Sequence, residues 1–286
     1  MLLDVLFKSA GIFVFGKFDV DLCGICLINS DLMGAYLKNA NFMNANLSRA
    51  NFAYADLRDA DFTNANFSNA NLRGVDFSHA RFENTNFEDA NLSGAYLQET
   101  VISNVNLVNA NLSCANLSGA SFSSKFLEKK FKDADFTNAN LENAWLVGEN
   151  FDQTNLKNAN LQGAYLMGIS LERANLENAN LSGANLARAS LGGANFSGAE
   201  LVRADLDHAD ITPVDLEGMD ASWVASNFTN ANLARVNLTH ADLSYADLTG
   251  ANFTNANLKR TIFLDADTTD ADFTGTRQEW RITEED

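Results

Sequence analysis

Few residues in this chain have both the type and the spacing to do chemistry. Cys23 and Cys26 form a CxxC, Cys23-Gly24-Ile25-Cys26. Two thiols at that spacing can cycle as a redox pair or supply half of a zinc site. The redox version needs a strand-to-helix context that this stretch lacks, and structural zinc takes about four ligands. Three cysteines in 286 residues are too few for a disulfide scaffold. The histidines, His79, His208 and His240, fall on outward positions far apart in the chain, so from spacing alone no two of them are expected to meet. No metal role is expected of them, and no cofactor is expected. Carboxylates are plentiful but sit in outward positions, whereas catalysis needs a concave site that excludes water. The sequence holds no glycine-rich phosphate loop and no nucleophile elbow. It does not read as an enzyme.

The residues better suited to recognition are aromatic and basic. Trp145 and Tyr165 stand 20 residues apart, with Asn185 and Asp205 at the next two steps of 20. Aromatic side chains aligned on one outer face make binding anchors. A short basic run from Lys125 through Lys129 and Lys130 to Lys132 is the one strongly cationic patch. The rest of the chain is acidic, at a net charge of −17. Residues 200–286 carry 17 acids against 6 bases and residues 1–199 carry 20 against 14. Such a surface repels nucleic acid and anionic membranes and suits a basic protein partner. A protein partner is therefore expected, without direct nucleic-acid binding and without a membrane role. The apolar N-terminal stretch is broken by Asp4 and Lys8 and reads poorly as a signal peptide or a span, so a cytoplasmic location is expected.

What must position these residues is a repeat. Leu or Phe centres recur every five residues from Leu22 to Phe122, and from Ala35 to Ala70 the residue two before each centre is Ala eight times running. Asn or Asp separates the pair, as in Ala45-Asn46-Leu47. A period of five scatters apolar groups around an α-helix and does not fit a plain strand. Apolar spacings alternating two and three instead describe a short inward-facing strand followed by a corner. Four corners close a coil of 20 residues. Phe42, Phe62, Phe82 and Phe122, with Ile102 in the gap, are spaced by multiples of 20 and should stack on one inner wall; Phe67 and Phe87 should stack on the next.

Strings such as Ala40-Asn41-Phe42-Met43-Asn44 and Ala179-Asn180-Leu181-Ser182-Gly183 resemble the pentapeptide repeat family, whose pattern is A(N/D)LXX, over roughly residues 20–274. The resemblance implies an all-β fold, a right-handed quadrilateral parallel β-helix, and the abundance of clean repeats resembles the cyanobacterial members of the family. The centres fall in blocks of 21, 18 and 10, which predicts about 12 coils and a rod roughly 60 Å long at about 4.8 Å per coil. Three regions follow: an N-terminal cap over 1–17, the β-helix over 18–274, and a C-terminal capping helix and acidic tail over 275–286. Both caps are expected to be short helices. The phase slips by one residue near 123–132 and by two near 217–227, with the second block running to Leu216, and stacking is expected to continue through both. The rod is expected to be a monomer or an end-to-end dimer.

Two roles follow from this reading. One is a non-catalytic structural and protein-interaction module whose partner choice lies in its outward residues. The other, implied by the quinolone-resistance members of the family, is a DNA mimic that binds a type II topoisomerase such as gyrase.

Overall fold

In the computed structural model, residues 20–123, 131–215 and 223–277 are described. Most described repeats make their corner in the same way. The centre residue's carbonyl accepts a hydrogen bond from the amide three residues on, as in Ala45 N to Phe42 O at 3.0 Å. The third residue of this turn has positive φ, Asn44 at 57° and Asn64 at 59°. That conformation suits Gly and Asn, whose small or locally bonding side chains tolerate it. The Asn or Asp before the centre accepts from the backbone two residues on, as in Met43 N to Asn41 Oδ1 at 3.0 Å. The A(N/D)LXX pattern is thus a corner recipe: a small inner residue, an Asx side chain that holds the turn, an apolar centre, and a turn residue that accepts a left-handed backbone.

The corners stack into a parallel β-helix. Residues 20 apart form parallel bridges in four ladders, for example Asp21, Asn41 and Asp61 in one and Tyr36, Asp56 and Asp76 in another. Three short strands continue the first ladder as a parallel sheet: β1 (Arg81–Glu83), β2 (Val101–Ser103) and β3 (Ser121–Ser123). The amides of the Asx, centre and turn residues all bond to neighbouring coils, as in Phe42 N to Asp61 O at 2.7 Å. Asn side chains add a second ladder outside the backbone, Asn71 Nδ2 to Asn51 Oδ1 and Asn51 Nδ2 to Asp31 Oδ1, both 2.9 Å.

Centres and small residues together fill the interior. The Phe stacks expected from spacing are present: Phe42–Phe62 at 5.2 Å, Phe62–Phe82 at 5.5 Å and Phe67–Phe87 at 5.2 Å between near-parallel rings. At several places where Thr replaces Ala in the small slot, its hydroxyl is satisfied by a backbone carbonyl, Thr85 on Phe62 O at 2.9 Å and Thr261 on Leu238 O at 2.8 Å. A buried hydroxyl without such a partner would cost free energy.

Both interruptions are larger than their phase slips suggest. Across the first, Asn111 pairs with Asp135 and Ser121 with Trp145, 24 residues apart instead of 20, a surplus of four. Across the second, Asn195 pairs with Asn227 and Asp210 with Asp242, 32 apart, a surplus of twelve. The stack is unbroken through both, and Phe196 lies on Phe228 at 4.6 Å. Phe228 thereby takes the slot that the spacing gives to Leu216. The surplus contains β4 (Val214–Asp215) and β5 (Trp223–Val224), which pair antiparallel. The strand pair leaves the helix after Ile211 and rejoins at Ser226, whose Oγ donates to Ile211 O at 2.9 Å, lies 3.1 Å from Leu191 O, and accepts from Gly193 N at 3.0 Å. The expected N-terminal cap over 1–17 and residues 278–286 of the C-terminal one lie outside the described residues; residues 275–277 still belong to the coil, where Arg277 pairs with Asn257. Among those residues, no helix is long and apolar enough to cross a membrane.

Candidate functional site

The aromatic pair is brought together as its spacing requires. Trp145 and Tyr165 are bridge partners on the first ladder, with ring centroids 5.0 Å apart and planes inclined by 32°. Both are exposed. Asn185 and Asp205 follow on the same ladder, and Ser121 and exposed Val101 precede. Cross-strand packing of this kind stiffens a sheet face, and here it also presents a flat aromatic surface to solvent. Asp205 accepts from Asn237 Nδ2 at 2.7 Å, so its carboxylate is partly occupied within the ladder. Lys125, Lys129 and Lys130 lie outside the described residues. Cys23 and Cys26 are both exposed and not disulfide-bonded, and Cys114 is likewise free.

The histidines require a correction. Spacing alone separated all three, but the twelve-residue surplus places His208 and His240 on consecutive coils. Their rings stack with centroids 4.4 Å apart and planes inclined by 27°. One carboxylate serves both: Asp207 Oδ2 lies 2.9 Å from His208 Nδ1, and Asp207 Oδ1 lies 3.6 Å from His240 Nδ1. The sequence signal was present but ambiguous. A two-residue delay in a five-residue pattern is also a surplus of seven or twelve, and only twelve brings these rings together. His79 has Glu99 at 3.9 Å for company and no second histidine.

Two open grooves are formed by other described residues. An open groove of about 600 Å³ is lined by Arg203, Arg235, Asn232 and Thr254 among others. A smaller one of about 420 Å³ runs beside His79, Glu99 and Val101. Neither gathers an acid, a base and a nucleophile at reacting distance. The perturbed carboxylates are ladder residues: Asp56 is held below the usual carboxylate range by hydrogen bonds from the Arg58 side chain at 2.6 and 2.8 Å.

The family model for pentapeptide repeats matches in eight copies spread over residues 18–124, 134–212 and 224–277. The chain belongs to the pentapeptide repeat family. Its members fold as right-handed β-helices, in agreement with the ladders above. The two unmatched gaps coincide with the two interruptions. No curated protein matches the chain. Among solved structures it is similar to HetL, a pentapeptide repeat protein involved in heterocyst differentiation regulation from the cyanobacterium Nostoc sp. strain PCC 7120, at 27% identity over 88% of this chain and 87% of that one, with a TM-score of 0.33. It is also similar to QnrB1, a plasmid-mediated fluoroquinolone resistance protein, at 16% identity over 88% and 89%, with a TM-score of 0.32. A third is Rfr23 from the cyanobacterium Cyanothece 51142, at 38% identity over 38% of this chain and 58% of that one, with a TM-score of 0.21. These overlays are loose, and the fold rests on the family match and on the ladders.

Proposed function

We propose that this protein is a non-catalytic, cytoplasmic interaction module, a rod of about 12 coils that offers one rigid face to a protein partner. The observation that carries the reading is the exposed Trp145–Tyr165 stack on the first ladder. Aromatic anchors held rigid by their own sheet lose little side-chain entropy on binding and so contribute most of what they bury. The pair stands on an open sheet face, which favours protein recognition over enclosure of a small substrate. The test is a pull-down from native lysate with wild-type protein and with Trp145→Ala/Tyr165→Ala. Loss of the captured partner in the double variant is the expected result. The same partner retained at wild-type yield excludes this face.

The acidic bias of residues 200–286 supports a second reading, a DNA mimic that binds a type II topoisomerase. On that reading, gyrase supercoiling changes when the protein is added, with and without a fluoroquinolone. Unchanged supercoiling at micromolar excess of the protein removes it.

A further inference from the structure

We propose that Asp207, His208 and His240 form a binding site for one divalent transition-metal ion, of which zinc is the type case. The three residues each offer a ligand atom, and those atoms lie within 4.8 Å of one another. Both Nδ1 atoms face the Asp207 carboxylate, one on each oxygen, at 2.9 and 3.6 Å. A tetrahedral ion with bonds of about 2.0–2.1 Å needs its ligand atoms about 3.4 Å apart. All three side chains are partly exposed, so small rotations close the remaining distance.

A second observation points into the same spot. His240 Nδ1 is buried and has no hydrogen-bond partner, since Asp207 Oδ1 at 3.6 Å is too far. Buried polar atoms are rarely left unpaired, because the desolvation they suffer is otherwise uncompensated. An ion between the three side chains would satisfy it. Two imidazoles and a carboxylate suit zinc, cobalt, nickel or copper better than magnesium or calcium, which take oxygen ligands. Three protein ligands leave a position for water or for a group from a partner.

The surroundings set a limit on affinity. Arg260 Nη1 lies 3.4 Å from His240 Nε2. A metal on Nδ1 leaves the proton on Nε2, which then faces the guanidinium, so Arg260 must turn away when the ion binds. Arg188 stands one coil below His208 on the same column, adding a second cation nearby. The site is therefore weaker than a closed four-ligand structural site.

The experiment is calorimetric titration of the full chain with zinc chloride in a non-coordinating buffer, repeated with cobalt to read its visible absorption. Wild type should bind one ion per chain. His208→Asn and His240→Asn keep a residue that tolerates the positive φ at these turns, so the fold is preserved. Each should weaken binding by at least about tenfold, since even outer-shell partners of metal ligands are worth 10–100-fold. His79→Asn should bind as wild type does, and Arg260→Ala should bind equally or more tightly. Absence of binding at about 1 mM zinc, or unchanged affinity in both histidine variants, overturns the proposal. Weaker binding by Arg260→Ala overturns the ligand set.

Discussion

A single centre residue such as Phe62 is packed from every side. Its ring stacks on Phe42 and Phe82 along the wall, lies edge-on to Phe77 and tilts against Phe67. Removing it opens a cavity that neighbouring coils cannot close, because each is pinned to the next by its ladder bonds. Phe→Ala in such a core costs about 3–5 kcal/mol. Phe62→Ala should therefore lower the denaturant midpoint sharply, and Phe273→Ala, only partly buried against the last described coils, should lower it less. Equal losses would mean that the ends are as tightly packed as the middle. At this scale the sequence was informative: Ala, Asx and Leu or Phe each announce their place in the corner. It was less so for the turn position, where Arg49, Tyr54 and His79 adopt positive φ as readily as Asn does. There the ladder bonds on either side impose the turn, overriding the residue's own preference.

At the scale of the element, the second interruption is a graft onto an otherwise regular coil. Omitting 213–224 would join Thr212 to Ala225, put Ser226 in the small slot, and place Phe228 five residues after Ile211. Such a chain should keep its far-UV spectrum and unfold as cooperatively as the full chain. In the full chain, Gly192 lies against the root of the graft: a Cβ there would stand 2.6 Å from Thr212 O and from a Val214 methyl. Because the first of these is backbone, it cannot yield by changing rotamer. Gly192→Ala should cost about 1–3 kcal/mol in the full chain and little in the shortened one, where Thr212 resumes the regular turn. A similar loss in both would locate the strain elsewhere. The graft also marks the limit of what spacing reveals. The Trp145–Tyr165 pair could be read from the sequence because no interruption separates the two. The His208–His240 pair could not, because a five-residue phase leaves whole repeats uncounted, and the count decides which residues share a column.

The whole molecule carries a charge of −17, and its response to acid is set by how its ladder carboxylates are held. Asp56 is kept below the usual range first by its hydrogen bonds from Arg58. Asp247, Asp267 and Asp272 are lowered first by the hydroxyls of Thr249, Thr269 and Thr274, then by the backbone amides of the same residues. A carboxylate whose pKa is depressed by folding adds stability above its unfolded value of about 3.9, and that stability is lost as pH falls through the depressed value. Between pH 7 and 5 these groups stay ionised in both states, so the melting temperature should change little. Below about pH 4 it should fall as they take up protons that the folded turns disfavour. Most Asx positions are Asn, which holds the same turn without titrating, so the loss should be partial, and the rod should survive to a lower pH than its acidity alone suggests. Replacing Asp56, Asp247, Asp267 and Asp272 together by Asn keeps an oxygen to accept the backbone bond and removes the proton equilibrium. Thermal melts of that variant should show a flatter acid limb than wild type. An acid limb of the same slope would mean that other carboxylates of the rod, and not these four, set its loss of stability in acid.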